Sequence, residues 1–176
     1  IQDVLKFNKP VLISTGVTDI NDIDELIKIL KNKKNKKVSL LHCVSLYPTK
    51  NEEINLSRIS FIKNRYNIIA GFSDHTIGDE ATVASVHYGA KILEKHFTLD
   101  DKVDGYDHKI SLNPKKFFNM VKKVRENEKM IGESNYRVFN NLKYKKINEV
   151  IRSFRITKNQ KKNNFINASF LELVRT

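Results

Sequence analysis

The sequence contains a single cysteine, Cys43. One thiol excludes an internal disulfide, and a reducing cytoplasm is the expected setting. Long apolar runs are missing too. The apolar stretches are short and broken by charge, so no segment is expected to span a membrane. No secretory signal opens the chain, which starts at Ile1 rather than at Met. Acidic residues are in deficit, with 20 Asp and Glu against 32 Lys and Arg, for a formal charge of +12. A basic surface can attract nucleic acid, anionic lipid or anionic metabolites. The lysines are spread along the whole chain and mixed with Asn and Ile, which fits a solvated surface better than a binding stripe. No basic face interleaved with aromatics is found, and no known nucleic-acid module. A basic nucleic-acid-binding protein therefore stands only as the alternative from a different class.

What is present suffices for a folded core. Apolar residues make up 40% of the 176, too many for a disordered chain. Four short β-type runs recur: Val11–Ser14, Val38–Cys43, Ile68–Phe72 and Ile92–His96. Segments with helical periodicity separate them. Ile23, Leu26, Ile27 and Leu30 mark one face after the first run, with Asp22, Asp24 and Glu25 placed to suit the helix dipole. Leu56, Ile59, Ile62 and Tyr66 follow the second, and Val83, Val86 and Ala90 the third. After the fourth, Asn113 and Pro114 form an N-cap and first helical position for a face of Phe117, Val121 and Val124. Strand–helix units at this spacing predict an α/β fold with a parallel sheet. Four units are half of an eight-stranded barrel, which normally needs about 250 residues. An open four-stranded sheet is the alternative, and both place function at the carboxyl ends of the strands.

Beyond Gly132 the pattern changes. Residues 134–151 are polar and basic with no apolar face, as suits a linker. A new apolar pattern begins at Arg152, with Phe154, Ile156, Phe165, Ile166, Phe170, Leu171 and Leu173. It is too short for a complete domain, so the chain is expected to be cut at both ends.

Polar residues gather where the strands end: Ser14-Thr15-Gly16, His42-Cys43-Val44-Ser45, Ser73-Asp74-His75-Thr76 and Glu94-Lys95-His96. Side chains alternate across a strand, so Ser73 shares a face with His75, and Glu94 with His96. If both pairs face the barrel axis, the two imidazoles meet at its mouth. With a nearby carboxylate they would make a reasonable divalent-metal site. A lone histidine at a strand end is more often hydrogen-bonded core than ligand, and only the matched positions raise the metal reading. His42 has the opposite parity to Cys43 and Ser45 and is read as structural, facing the helices. His87, beside Tyr88 in a helix, is read as packing, and His108 follows Asp107 in a loop where only Asp107 has an obvious catalytic use. Glu94 would be an inward carboxylate, costly to bury unless paired, that orients His96 or meets a lysine from elsewhere. A metal-dependent hydrolase would need a base beside the ion, and only Asp107 or Glu94 could serve.

Taken together the segments resemble a known family. Lys9-Pro10-Val11-Leu12-Ile13-Ser14-Thr15-Gly16, Leu41-His42-Cys43 with Tyr47-Pro48, and Gly71-Phe72-Ser73-Asp74-His75-Thr76 come first. Glu94-Lys95-His96-Phe97-Thr98-Leu99-Asp100 and Gly105-Tyr106-Asp107-His108-Lys109 follow, in the order expected of the sialic acid (N-acetylneuraminate) synthases. The likeness covers about residues 7–133, and the segment from Arg152 is similar to the start of that family's antifreeze-like (SAF) domain. The resemblance implies that residues 1–133 are the C-terminal half of a (β/α)8 TIM barrel, strands five to eight. It implies 134–151 as linker and 152–176 as a truncated SAF domain.

The implied reaction condenses phosphoenolpyruvate with an N-acyl hexosamine of the N-acetylmannosamine type, giving a nonulosonic acid and phosphate. N-acetylmannosamine 6-phosphate and a diacetamido sugar of the legionaminic type are the alternative acceptors. The family's metal-ligating histidines fall on His75 and His96, for Mn2+ or Mg2+. Asp107 matches a carboxylate that contacts the sugar near the metal, and Tyr47 a sugar contact. Ser14, Ser45 and Ser73 match phosphoenolpyruvate contacts. Two departures stand out: many relatives carry Asn at the position of Ser45, and Pro at that of Tyr106. The family pattern also implies a homodimer in the whole enzyme, whose C-terminal domain reaches over the partner's barrel, and no cofactor besides the metal. Because the lysines and glutamate of the first four strands are not in this sequence, the 176-residue chain alone is expected to lack synthase activity.

Overall fold

The computed structural model describes residues 1–31, 38–100, 103–105, 107–132 and 152–175. They fall into two compact units, Ile1–Gly132 and Glu133–Thr176. In the first, a short helix α1 (Gln2–Leu5) leads into β1 (Val11–Ser14), α2 (Ile20–Lys31), β2 (Val38–Cys43) and α3 (Ser57–Tyr66). Strand β3 (Ala70–Asp74), α4 (Glu80–Ser85), β4 (Ile92–Lys95) and α5 (Pro114–Ile131) complete it. The four strands pair in parallel in sequence order, the layout of half a barrel.

Local chemistry sets these boundaries. The Asp19 carboxylate accepts the backbone N–H groups of Asn21 at 2.7 Å and Asp22 at 3.0 Å. Asp22 returns a bond to the N–H of Asp19 at 2.9 Å, a reciprocal cap on α2. Asp24, expected to serve the dipole, instead takes Arg65 at 2.9 Å and the Tyr66 hydroxyl at 2.7 Å, tying α2 to α3. The α3 helix ends on Asn67 in the left-handed conformation, φ 50°. At α5 the Asn113 side chain accepts the N–H of Lys116 at 2.9 Å, with Pro114 in the first turn, as the sequence predicts.

The core lies between the sheet and its helices. Leu40 and Phe72 from the strands meet Ile23 and Ile27 of α2, Ile59 and Ile62 of α3, and Ala81 of α4. A residue such as Ile59, wholly buried, contributes about 1.5–3 kcal/mol by leaving water. The other sheet face carries the residues of opposite parity. There β1 leaves Leu12 half exposed, and Glu94 of β4 is exposed. Gly71 sits on this face, where a Cβ would lie 2.5 Å from the Ile92 carbonyl oxygen and inside contact with the Leu41 side chain.

Three elements differ from expectation. The β3 strand runs Ala70–Asp74 rather than Ile68–Phe72, because the left-handed Asn67 needs two residues to swing the chain into the sheet. Ile69 is left 55% exposed in that turn, although its carbonyl still accepts the N–H of Leu40. The β4 ladder stops at Lys95, and the His96 carbonyl turns to the N–H of Leu112 at 2.9 Å. On α5 the buried positions are Met120 and Val124 with Phe117 half-buried, while Val121 lies toward solvent. The Phe117 ring meets Phe97 edge-on, centroids 5.6 Å apart, and the packed face keeps Phe117 and Val124 while Met120 takes the place of Val121.

In the second unit β5 (Arg152–Ile156) pairs antiparallel with β6 (Leu171–Arg175), with Arg155 bridged to Glu172 at 2.8 Å. Phe154 faces Leu173 and Ile156 faces Leu171 across the ladder, and all four remain exposed. The expected linker 134–151 lies outside the described residues.

Candidate active site

The carboxyl ends of β2, β3 and β4 build one cluster. Register puts Cys43 beside Ser73, Ser73 beside Glu94 and Asp74 beside Lys95, so His75 and His96 each lie one residue past the ladder. Their rings come together, centroids 5.2 Å apart and planes at 73°. The loop after β2 closes over them, with Tyr47 against His75 at 4.1 Å and edge-on to His96 at 6.0 Å. Thr49 pins that loop: its N–H donates to the His75 carbonyl at 3.0 Å and its hydroxyl to the Leu46 carbonyl at 2.8 Å. Asp107 arrives from the loop after β4, its carboxylate 3.9 Å from Nδ1 of His96. Ser111 holds the segment by donating to the Asp107 carbonyl at 2.6 Å, and His108 bonds Thr98 at 2.9 Å.

His75 is buried, and its Nδ1 lies 2.8 Å from the Val44 carbonyl. A carbonyl only accepts, so in the neutral ring the proton sits on Nδ1 and the lone pair on Nε2. A ligating histidine is commonly held in this way by a backbone carbonyl. Among the described residues no three His, Cys, Asp or Glu side chains close into a metal cage. Two imidazole nitrogens with a carboxylate nearby nonetheless fit a divalent ion that keeps open positions for water or substrate oxygens. The imidazoles are those of His75 and His96, and the nearby carboxylate is that of Asp107.

Glu94 is engaged by Ser73, whose hydroxyl donates to its Oε1 at 2.7 Å. Ser14 and Ser45 lie at the ends of β1 and β2, both exposed, and a Cβ on Gly16 would reach the Ser45 hydroxyl at 2.8 Å. Partial burial, reinforced by the carboxylates of Asp107 and Glu94, pushes the Tyr47 phenol up, so it stays protonated at neutral pH. Tyr47 and Pro48 also line a cleft of about 410 Å³ with Asp104, Gly105 and Lys109. Another cleft, of about 390 Å³, lies among Asp79, Lys116, Lys122 and Lys123 and includes none of the predicted site residues.

The remaining histidines go elsewhere. His42 is buried on the helix-facing side, bonded to the Ile54 carbonyl at 2.6 Å and stacked 5.9 Å from Phe72. Burial outweighs that bond and pushes its pKa down. His87 bonds Asn127 of α5 at 2.7 Å. Tyr106 lies outside the described residues. Sequence reasoning missed the pair immediately behind the histidines. Asp74 and Lys95 form an ion pair of 3.2 Å with side chains 0% and 1% exposed. Their signal is legible afterwards: two charged residues of matching parity on adjacent strands, each costly to bury without the other.

Comparison with known proteins follows the same residues. The NeuB family matches residues 1–136. An uncharacterized protein of Methanocaldococcus jannaschii is 43% identical over 132 residues, covering 75% of this chain and 39% of that protein. The N,N'-diacetyllegionaminic acid synthase of Campylobacter jejuni is 33% identical over 135 residues, covering 76% of this chain and 40% of the synthase. The crystal structure of N-acetylneuraminic acid synthetase from Leptospira borgpetersenii, a citrate complex, superposes with a TM-score of 0.73 at 34% identity. The overlap covers 76% of this chain and 47% of that one. The chain thus spans about two-fifths of the length of these curated relatives.

Proposed function

The chain belongs to the NeuB family, and on that premise we propose that it forms part of a nonulosonic acid synthase joining phosphoenolpyruvate to an N-acyl amino sugar. The observation that carries this reading is the meeting of His75 and His96, 5.2 Å apart under Tyr47, at the carboxyl ends of adjacent parallel strands. Residues 1–133 are the C-terminal half of a (β/α)8 barrel, 134–151 a linker and 152–176 the beginning of an SAF domain. The complete enzyme is a cytoplasmic homodimer.

In this reading His75 Nε2 and His96 would hold Mn2+ or Mg2+, with the Asp107 carboxylate beside them. The ion when bound supplies Lewis-acid polarisation of the acceptor's aldehyde oxygen. Tyr47 and Asp107 orient the sugar so that its aldehyde carbon faces the phosphoenolpyruvate methylene. Ser14, Ser45 and Ser73 hold phosphoenolpyruvate, and Glu94, gripped by Ser73, fixes the pocket wall beside it. The methylene carbon forms the new C–C bond while the aldehyde oxygen takes a proton. Water adds to the former enol carbon and loses a proton. Cleavage of the bond between that carbon and the phosphate oxygen, with loss of the new hydroxyl's proton, then releases phosphate and leaves a 2-keto acid. The acceptor is N-acetylmannosamine or, as the Campylobacter relative suggests, a diacetamido sugar. N-acetylmannosamine 6-phosphate is the remaining alternative.

The test is phosphate release from phosphoenolpyruvate with each sugar by a chimera that places residues 1–176 behind the first four strand–helix units of the Campylobacter synthase. Sugar-dependent release is expected, with none from the 176-residue chain alone. Release that ignores every sugar, or turnover by the chain alone, would overturn the assignment.

A further inference from the structure

We infer that the buried Asp74–Lys95 ion pair is a positioning device that sets the separation of the His75 and His96 rings. The inference rests on the reading of those two histidines as the metal-binding pair. Both lie beyond the last paired residues of β3 and β4, so the ladder itself does not hold them. The ion pair does so from behind. Asp74 Oδ1 accepts the N–H of Thr76 at 2.8 Å, and Lys95 Nζ donates to the carbonyl of Thr76 at 2.5 Å. Both backbone groups of the residue following His75 are thus gripped by the residues preceding the two histidines. Asp74 Oδ2 also takes the Thr82 hydroxyl at 2.5 Å, anchoring the device to α4.

Stability alone does not account for it. Apart from His42, neighbouring strand residues on the helix-facing side of the sheet are apolar, among them Leu40, Ala70, Phe72 and Leu93. A buried ion pair is seldom more stabilising than well-packed apolar residues of similar volume. What the pair supplies, and apolar residues do not, is directed hydrogen bonding to the Thr76 backbone. On the opposite face of the same two strands, Ser73 and Glu94 make the matching link at 2.7 Å.

The experiment uses the 176-residue chain and two readouts. One is the nuclear Overhauser contact between the His75 and His96 ring protons without metal. The other is Mn2+ affinity by titration, and thermal melting reports folding. Asp74→Leu with Lys95→Met removes both charges together, and Asp74→Asn keeps the shape while removing one. The parent chain is expected to show the ring contact. The paired variant is expected to stay folded, lose the contact and bind Mn2+ about tenfold more weakly. Asp74→Asn is expected to shift both readouts in the same direction by less, and it decides the matter if the paired variant does not fold. Retention of the ring contact with affinity within about twofold in a folded variant overturns the inference. Unfolding of both variants assigns the pair to the fold and overturns it equally. A parent chain that shows the ring contact but does not bind Mn2+ refutes the metal reading instead, and the contact still decides the positioning role.

Discussion

Gly71 offers the sharpest test of how β3 and β4 are joined. Replacing it with alanine adds a methyl 2.5 Å from the Ile92 carbonyl oxygen, 3.0 Å from the Ile92 Cβ and inside contact with the Leu41 side chain. Leu41 is fully buried and cannot swing into solvent. The Ile92 position is opposite Gly71 in the β3–β4 register, so its backbone yields only if the ladder opens. Overpacking of this kind costs about 1–3 kcal/mol, and a backbone obstacle places the cost in the upper part of that range. With a urea m-value of about 1–3 kcal/mol/M, the unfolding midpoint should fall by about 1 M. Urea unfolding followed by circular dichroism measures it. Leu41→Ala alone should cost about 2–5 kcal/mol through the cavity it leaves. Combined with Gly71→Ala it should cost less than the two separately, by about 1 kcal/mol, since one change makes room for the other. A Gly71→Ala variant within about 0.5 kcal/mol of the parent, with additive behaviour in the pair, would refute the steric reasoning.

Two further outcomes follow from the core. His42 has its pKa depressed below 6.5 by burial, so the unfolded chain binds the proton more readily. Stability should fall as pH drops from about 7 through about 6.5 toward the folded value. His42→Gln should flatten that slope in urea titrations at several pH values, and an unchanged slope would contradict the assignment. Ile59→Ala, at a fully buried position between α3 and the sheet, should cost about 2–5 kcal/mol in the same assay. A loss below about 0.5 kcal/mol would mean that α3 does not pack as described.

The sequence was most readable where one physical effect dominated. Strand β2 is buried along its whole length, and its apolar run shows it directly. Parity alone placed His75 with Ser73 and His96 with Glu94, because alternation is a property of any strand. The β3 boundary was misread because Ile68 and Ile69 look like strand residues. Their β-branched side chains belong to the turn that the left-handed Asn67 imposes. On α5 Val121 and Met120 suit the helical period almost equally, and it is Met120 that is buried. Asp74 and Lys95 went unread as a pair because their value depends on cross-strand register, which no local pattern encodes. The apolar residues from Phe154 to Leu173 were legible as a pattern, and Phe154, Ile156, Phe165, Ile166, Leu171 and Leu173 are exposed.

The most direct test of the central claim is Mn2+ binding by the 176-residue chain, followed by electron paramagnetic resonance, beside His75→Ala and His96→Ala. The account predicts one ion per chain, with binding lost in each variant while both remain folded. Undiminished binding in both folded variants would place the ion elsewhere and contradict the account.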